Sequence, residues 1–242
     1  MPEGPSIVIL KEALQPFTGK KVLEFTAPES IPEALLLHQK VIAFKSWGKH
    51  LLICFKKGTI RVHLLLFGSY LINETRSIKP RLHLAFTNGF VNFYTSSVQL
   101  IEKPLEEVYD FTADVMSEQW DEKAARKKLT AAGDHMITDV LLDQHIFSGV
   151  GNIIKNEVLF RIRVHPESLV RNIPPAKIKA LLKEAVKYSF EFLEWKKEGV
   201  LKKHWQAHTK KTCPRCHIPF IKKHAGKTKR RSFFCTNCQV LY

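Results

Sequence analysis

No stretch of the 242-residue sequence holds the run of about 18 apolar residues needed to cross a bilayer, which argues against a helical membrane span. The start lacks the basic segment and small-residue cleavage site of a secretory signal, so a cytosolic protein is expected. Cysteine is scarce, five in all, and in the cytosol thiols serve metal or packing rather than disulfides. Acid is missing from the tail: after Glu198, forty-four residues carry eleven Lys or Arg and no Asp or Glu. There is no internal repeat, and no aromatic-rich ribonucleoprotein motif supports an RNA-binding module. What is present is base, 38 Lys and Arg against 23 Asp and Glu, a formal charge of +15. That balance calls for a polyanionic partner, nucleic acid ahead of an anionic membrane surface. The length allows one large or two medium domains.

The chain changes character once. Apolar spacing (Ile7, Val8, Leu10, Ala13, Leu14) with Pro5 in the first turn predicts a helix over 5–17, ended by Gly19. Short strands follow over 21–26, 41–47, 51–55, 60–66, 70–72, 81–86, 90–94 and 98–101, with a helix near 32–37. Asn88-Gly89 is the clearest hairpin signal among them. Many short, evenly spaced strands predict an antiparallel sandwich or barrel, and Cys54 reads as a core thiol. An acidic stretch over 104–122 is the expected crossing. Helices are predicted over 121–132, 137–145, 152–162 and 176–197. The fold expected is α+β, with a β-rich domain over 1–103, a helical domain over 123–200 and a metal-bound tail over 201–242.

Four cysteines pair as Cys213-x-x-Cys216 and Cys235-x-x-Cys238. This spacing suits one tetrahedral zinc, and a four-thiolate set leaves no open position, so the ion is structural. The span over 218–234 is too small to own a core. Metal would supply most of its folding energy, on the order of 10–16 kcal/mol in small zinc peptides. Ile218 and Phe220 set against Phe233 suggest a hairpin with Gly226 near its tip. Its cations, Lys222, Lys223, Lys227, Lys229, Arg230 and Arg231, fit phosphate binding, or simply a solvated face.

The first residues also carry possible chemistry. Removal of Met1 would expose the secondary amine of Pro2. An α-amino group titrates at about 7.7–8.0, and burial lowers it further. Such a nitrogen can attack a sugar C1′ if a neighbour such as Glu3 moves protons. Alternatively, a proline after Met1 reflects no more than what the processing machinery tolerates. Between two predicted helices lies Gly149-Val150-Gly151-Asn152, where Ser148 or Asn152 could cap the second helix. Its N-terminus and Lys155, one turn in, could receive phosphate; an ordinary tight turn is the other reading.

Taken together, Leu142-Asp143-Gln144 through Asn152 with Asn156-Glu157-Val158-Leu159-Phe160 resembles the helix–two-turn–helix of the formamidopyrimidine-DNA glycosylase/endonuclease VIII family. Pro2-Glu3-Gly4-Pro5 is similar to that family's start, Gly48-Lys49 to its lysine-bearing turn, and the cysteine tail to its zinc finger. The resemblance implies a monomeric, bifunctional glycosylase and AP lyase acting on damaged DNA. It implies Pro2 as Schiff-base nucleophile and Glu3 as acid/base. Lys49, Asn152 and Arg230, or its neighbour Arg231, are implied as DNA contacts, Lys49 also assisting the chemistry, and Lys155 joins them from its place in the helix's first turn. Two features depart from the family. Ser6 stands where a glutamate is usual, and Thr95-Ser96-Ser97-Val98-Gln99 replaces the arginine- and phenylalanine-bearing stretch of the oxidised-purine enzymes. An atypical endonuclease VIII-like member is therefore expected. Leu66 and Phe67 are candidates for an apolar wedge into the base stack, or form a buried strand end.

Overall fold

Apolar residues recurring at every second position become strands, and the structure, a computed structural model, describes residues 2–242. The chain forms two compact units, Met1–Tyr109 and Asp110–Tyr242. In the first, α1 (Gly4–Ala13) begins with Pro5 in its opening turn, where a missing N–H costs nothing. Strand β1 (Glu24–Thr26), helix α2 (Glu33–Leu36), then β2 (Ala43–Trp47), β3 (His50–Phe55), β4 (Gly58–His63), β5 (Ser69–Ile72), β6 (Leu82–Phe86), β7 (Gly89–Tyr94) and β8 (Ser97–Ile101) follow.

They make two antiparallel four-stranded sheets, β1-β6-β7-β5 and β2-β3-β4-β8. One apolar cluster draws on both sheets and on α1, with Ile7 and Leu10 joining Leu51, Ile53, Val62, Leu84 and Phe93. This is the sandwich alternative. Buried Asn92 on β7 is satisfied from two sides, its Oδ1 2.7 Å from the His83 ring and its Nδ2 donating to Glu74 O at 2.9 Å.

Two expectations change. β4 ends at His63, three residues short of the predicted strand, because Gly68 N–H donates to Leu64 O at 2.7 Å and closes a turn. A Cβ on Gly68 would lie 2.0 Å from that oxygen, so only glycine fits there. Cys54 is half-buried rather than a core thiol. Its β3 neighbours Ile53 and Phe55 are the residues that enter the core cluster.

The second unit holds α3's successors; α3 itself (Leu105–Val108) lies in the first. Helices α4 (Glu122–Ala131), α5 (Ile137–Val140), α6 (Asn152–Arg161) and α7 (Pro175–Lys197) share a core that includes Leu129, Val140, Phe147, Val158, Leu181 and Phe192. Helix α5 is half the predicted length. After Val140 the chain turns, braced by Gln144, whose side chain donates to Leu142 O and Val150 O and accepts from Gly149 N. The tail carries β9 (Ile221–Ala225) and β10 (Arg230–Phe234) as an antiparallel hairpin. Its register sets Phe233 opposite Lys222. Phe220 packs instead with Phe160 of α6 and the cysteines, so the finger borrows its apolar support.

Phe93 lies wholly inside the first core. Phe93→Ala should cost about 3–5 kcal/mol, read as a lowered urea midpoint; an unchanged midpoint would contradict this placement.

Candidate active site and nucleic-acid interface

Two elements bring together residues far apart in sequence. Pro2 is half-buried and Glu3 fully buried, and Glu3 is the N-cap of α1, its carbonyl accepting from Ser6 N–H at 2.8 Å. Helix α1 packs against β2 and β3. The two-residue turn Gly48-Lys49, closed by the Trp47–His50 pair, joins those strands and carries Lys49. The expected removal of Met1 falls on a residue outside those described.

Behind that turn is a polar aromatic cluster that the sequence reading missed. The His50 ring lies 3.2 Å from Tyr109 Oη, 5.1 Å from the His63 ring centroid and 5.6 Å from that of Trp47. Burial, then His63, Arg61 and Lys49, drives the His50 pKa down to about 3; burial and the same two cations also lower His63. The rings beside Lys49 are therefore neutral near pH 7. Leu66 and Phe67 sit in the turn after β4, 46% and 81% exposed, which removes the buried-strand-end alternative.

In the second unit, α6 starts at Asn152 with Gly151 as N-cap and no side-chain cap, so neither Ser148 nor Asn152 caps it. Ser148 is buried and pairs through its backbone with Ala113 and Val115. The first turn of α6 grips the hairpin. Asn152 Nδ2, Asn156 Nδ2 and Lys155 Nζ donate to Arg231 O at 3.0, 3.2 and 3.4 Å. Lys155 also donates to Ser232 Oγ at 2.9 Å, and Phe233 N–H to Asn156 Oδ1 at 3.1 Å. Lys155 is fully buried and reaches the hairpin, not solvent, which corrects its expected role as a phosphate contact. Asn152 is half-buried, with one amide hydrogen committed to Arg231. Arg230 and Arg231 are exposed.

Two further carboxylates hold the tail. Glu157, fully buried, accepts backbone N–H groups from Gln206, Ala207 and His208 at 2.9, 2.9 and 2.7 Å. An acid directly before the apolar run Val158-Leu159-Phe160 was the available signal for this anchor. Asp139 of α5 accepts from the hairpin tip, and nothing in its local sequence pointed there.

The four cysteine sulfurs lie within 4.8 Å of one another, with Cys213 and Cys238 3.8 Å apart. Tetrahedral bonds of about 2.3 Å put sulfurs about 3.8 Å apart, so the donor set fits a metal ion. Burial and the three neighbouring sulfurs push the Cys238 thiol up to about 12. Against burial, which raises it, the N–H groups of Cys238 and Asn237 bring Cys235 down to about 7. Four thiolates so close need a cation between them.

A base whose pKa is lowered by folding binds fewer protons folded than unfolded. The stability it contributes is intact above its ordinary 6.5 and is lost as pH falls toward 3. His50→Gln removes that titration. Its melting temperature should drop less than the wild type's between about pH 7 and about pH 4; equal drops would exclude His50 as a source of acid lability.

Two family models match in order: the formamidopyrimidine-DNA glycosylase N-terminal domain over residues 1–97 and the formamidopyrimidine-DNA glycosylase H2TH domain over 111–203. The chain is 33% identical over 201 residues to mouse endonuclease 8-like 3, covering 79% of this chain and 33% of that protein. To mouse endonuclease 8-like 2 it is 34% identical over 196 residues, covering 74% and 57%. It thus spans about a third and somewhat over half of these relatives' lengths. The crystal structure of Lactococcus lactis formamidopyrimidine-DNA glycosylase non-covalently bound to DNA containing an AP site shares the fold. Its TM-score is 0.84 at 22% identity, over 98% of this chain and 99% of that one. Among the described residues, no helix is long and apolar enough to cross a membrane. With both domains matched in order and its relatives bearing endonuclease 8-like names, the chain belongs to the formamidopyrimidine-DNA glycosylase/endonuclease VIII family.

Proposed function

We propose that this chain is a base-excision repair glycosylase with AP lyase activity, acting as a monomer on damaged DNA in the cytosol or nucleoid. The observation that carries this reading is the packing of α1, which follows Pro2 and Glu3, on the two strands that bear Lys49. A damaged nucleotide leaves the stack at a cost of about a few kcal/mol, less where pairing is already weak. The Pro2 nitrogen attacks C1′ and the N-glycosyl bond breaks, the base leaving with a proton. Glu3 protonates the ring oxygen as the C1′–O4′ bond opens, leaving an iminium ion at C1′. That cation acidifies C2′; loss of its proton expels the 3′ phosphate, and a second elimination expels the 5′ phosphate. Water then releases the sugar fragment and restores the amine. Lys49 holds the phosphate beside the lesion, with Asn152, Arg230 and Arg231 as further contacts and Leu66 and Phe67 as the wedge. Residues 1–103 carry the chemistry, 123–200 and 201–242 the grip on DNA, with 104–122 between them.

Borohydride should trap a covalent complex between enzyme of confirmed N-terminal proline and abasic-site DNA, and Lys49→Ala should reduce trapping by at least about tenfold. No trapping with a verified free Pro2 ends the catalytic reading. One observation favours a second reading, a damage-binding protein without catalysis: Ser6 supplies no carboxylate in the first turn of α1. It predicts salt-dependent binding with no strand scission at any enzyme concentration.

Zinc is the ion proposed for Cys213, Cys216, Cys235 and Cys238, in a structural role. Elemental analysis should give one zinc per chain. Chelation should melt the hairpin and abolish DNA binding while the β-rich unit keeps its strand signal. Undiminished DNA affinity in zinc-free protein would contradict this role.

A further inference from the structure

The hairpin tip is closed by a residue of another element. Asp139, in α5, accepts from Lys227 N–H at 2.9 Å through Oδ2, and from Thr228 N–H and Thr228 Oγ1 at 3.1 Å each through Oδ1. These are turn amides that the strand ladder leaves unpaired. Gly226, at φ +70°, leads into the turn, and a Cβ there would fall 2.4 Å from both Asp139 oxygens. Lys229, at φ +47°, is the last turn residue and stands directly before Arg230. On the other side of Arg230, the Arg231 carbonyl is gripped by Asn152, Lys155 and Asn156. Arg230 thus sits between two anchorages, one on α5 and one on α6.

We propose that Asp139 is a positioning residue for DNA binding: by holding the turn at Lys227 and Thr228 it fixes the backbone from which Arg230 reaches a phosphate. This rests on the proposed function. The carboxylate earns its place against a charge that opposes it. Asp139 is bonded to the turn at Lys227 and Thr228, which leads through Lys229 to Arg230, and a negative group on so basic a hairpin weakens attraction to a polyanion. Simple electrostatics therefore says that losing Asp139 tightens DNA binding, whereas a positioning role says that losing it loosens binding. The two accounts differ in sign.

The test measures equilibrium binding of zinc-loaded, full-length protein to an abasic-site duplex over a range of salt. Asp139→Ala should weaken binding about tenfold and lower the salt slope by about one contact, since Arg230 no longer finds its phosphate. Asp139→Asn has the same charge as the alanine variant but keeps the Oδ1 acceptor for Thr228, and should stay within about threefold of wild type. Gly226→Ala, which displaces the carboxylate, should behave as Asp139→Ala. The double variant Asp139→Ala/Arg230→Ala should bind no worse than Arg230→Ala alone, because one residue acts through the other. Zinc content serves as the control for an intact finger. Unchanged or tighter binding by Asp139→Ala, or losses that add in the double variant, overturn the positioning role while leaving the functional reading intact. Wild-type affinity in Arg230→Ala removes Arg230 as a DNA contact and overturns this proposal, whereas the functional reading stands or falls on the borohydride trap.

Discussion

A lysine ammonium shut off from solvent has to be met by acceptors, because leaving it bare costs several kcal/mol or more. Lys155 is in that position, and acceptors that meet it belong to the hairpin: Ser232 Oγ and the Arg231 carbonyl. The first turn of α6 therefore holds its buried lysine against β10 in one register. Asn152 and Asn156 flank the lysine and bind the same carbonyl, and Asn156 also receives Phe233 N–H, so a one-residue slip of β10 would strand several polar groups at once. This contact fixes the backbone at Arg231, one side of Arg230.

The tail's composition makes the same point in another way. With no acid after Glu198, the tail cannot satisfy its own loose amides or cations with carboxylates. It takes them from two helices and a turn before it. Glu157 holds three successive amides at Gln206, Ala207 and His208; Asp139 holds two at Lys227 and Thr228; Glu167 pairs with Lys223 at 2.7 Å. Carboxylates that accept backbone N–H groups make the stronger, charge-assisted kind of hydrogen bond. Arg215 works in the opposite direction, donating to Phe160 O at 2.8 Å and lying 4.0 Å over the Phe160 ring. The cysteine cluster and these contacts divide the task. The four cysteines gather at the base of the hairpin, and the borrowed carboxylates hold the tail's entry and the hairpin tip.

Local signals made much of this visible in the sequence. Alternation marked the strands within a few residues, and cysteine spacing marked the four-cysteine cluster, because both depend on near neighbours. The errors fall where a distant partner decides the outcome. Lys155 reads as a phosphate contact from its place in a helix's first turn, yet Ser232, 77 residues on, takes it inward. Leu66 and Phe67 read equally as strand or wedge until Gly68 bonds back to Leu64 and turns them outward. Cys54 reads as core because its run is apolar on both sides of the strand, and periodicity alone does not say which face a thiol takes. His50 shows no sign of its neutrality in the sequence: burial lowers it most, then His63 and Arg61, both brought in on β4, with adjacent Lys49 adding to them.

What remains outside these contacts decides where the positive charge ends up. Carboxylates are taken up by backbone amides at the tail's entry and at the hairpin tip, and one pairs with Lys223. Lys222, Lys227, Lys229, Arg230 and Arg231 stay exposed on a hairpin whose backbone is tied down. Flexible surface lysines would give a polyanion attraction without geometry, since each must be ordered on binding at a cost in side-chain entropy. A hairpin already fixed at base, stem and tip spares the backbone share of that cost, so its cations meet phosphate from a prearranged surface. Charge would draw such a chain to a polyanion. The buried lysine, the borrowed carboxylates and the cysteine cluster explain why its arginines would meet DNA in one arrangement rather than many.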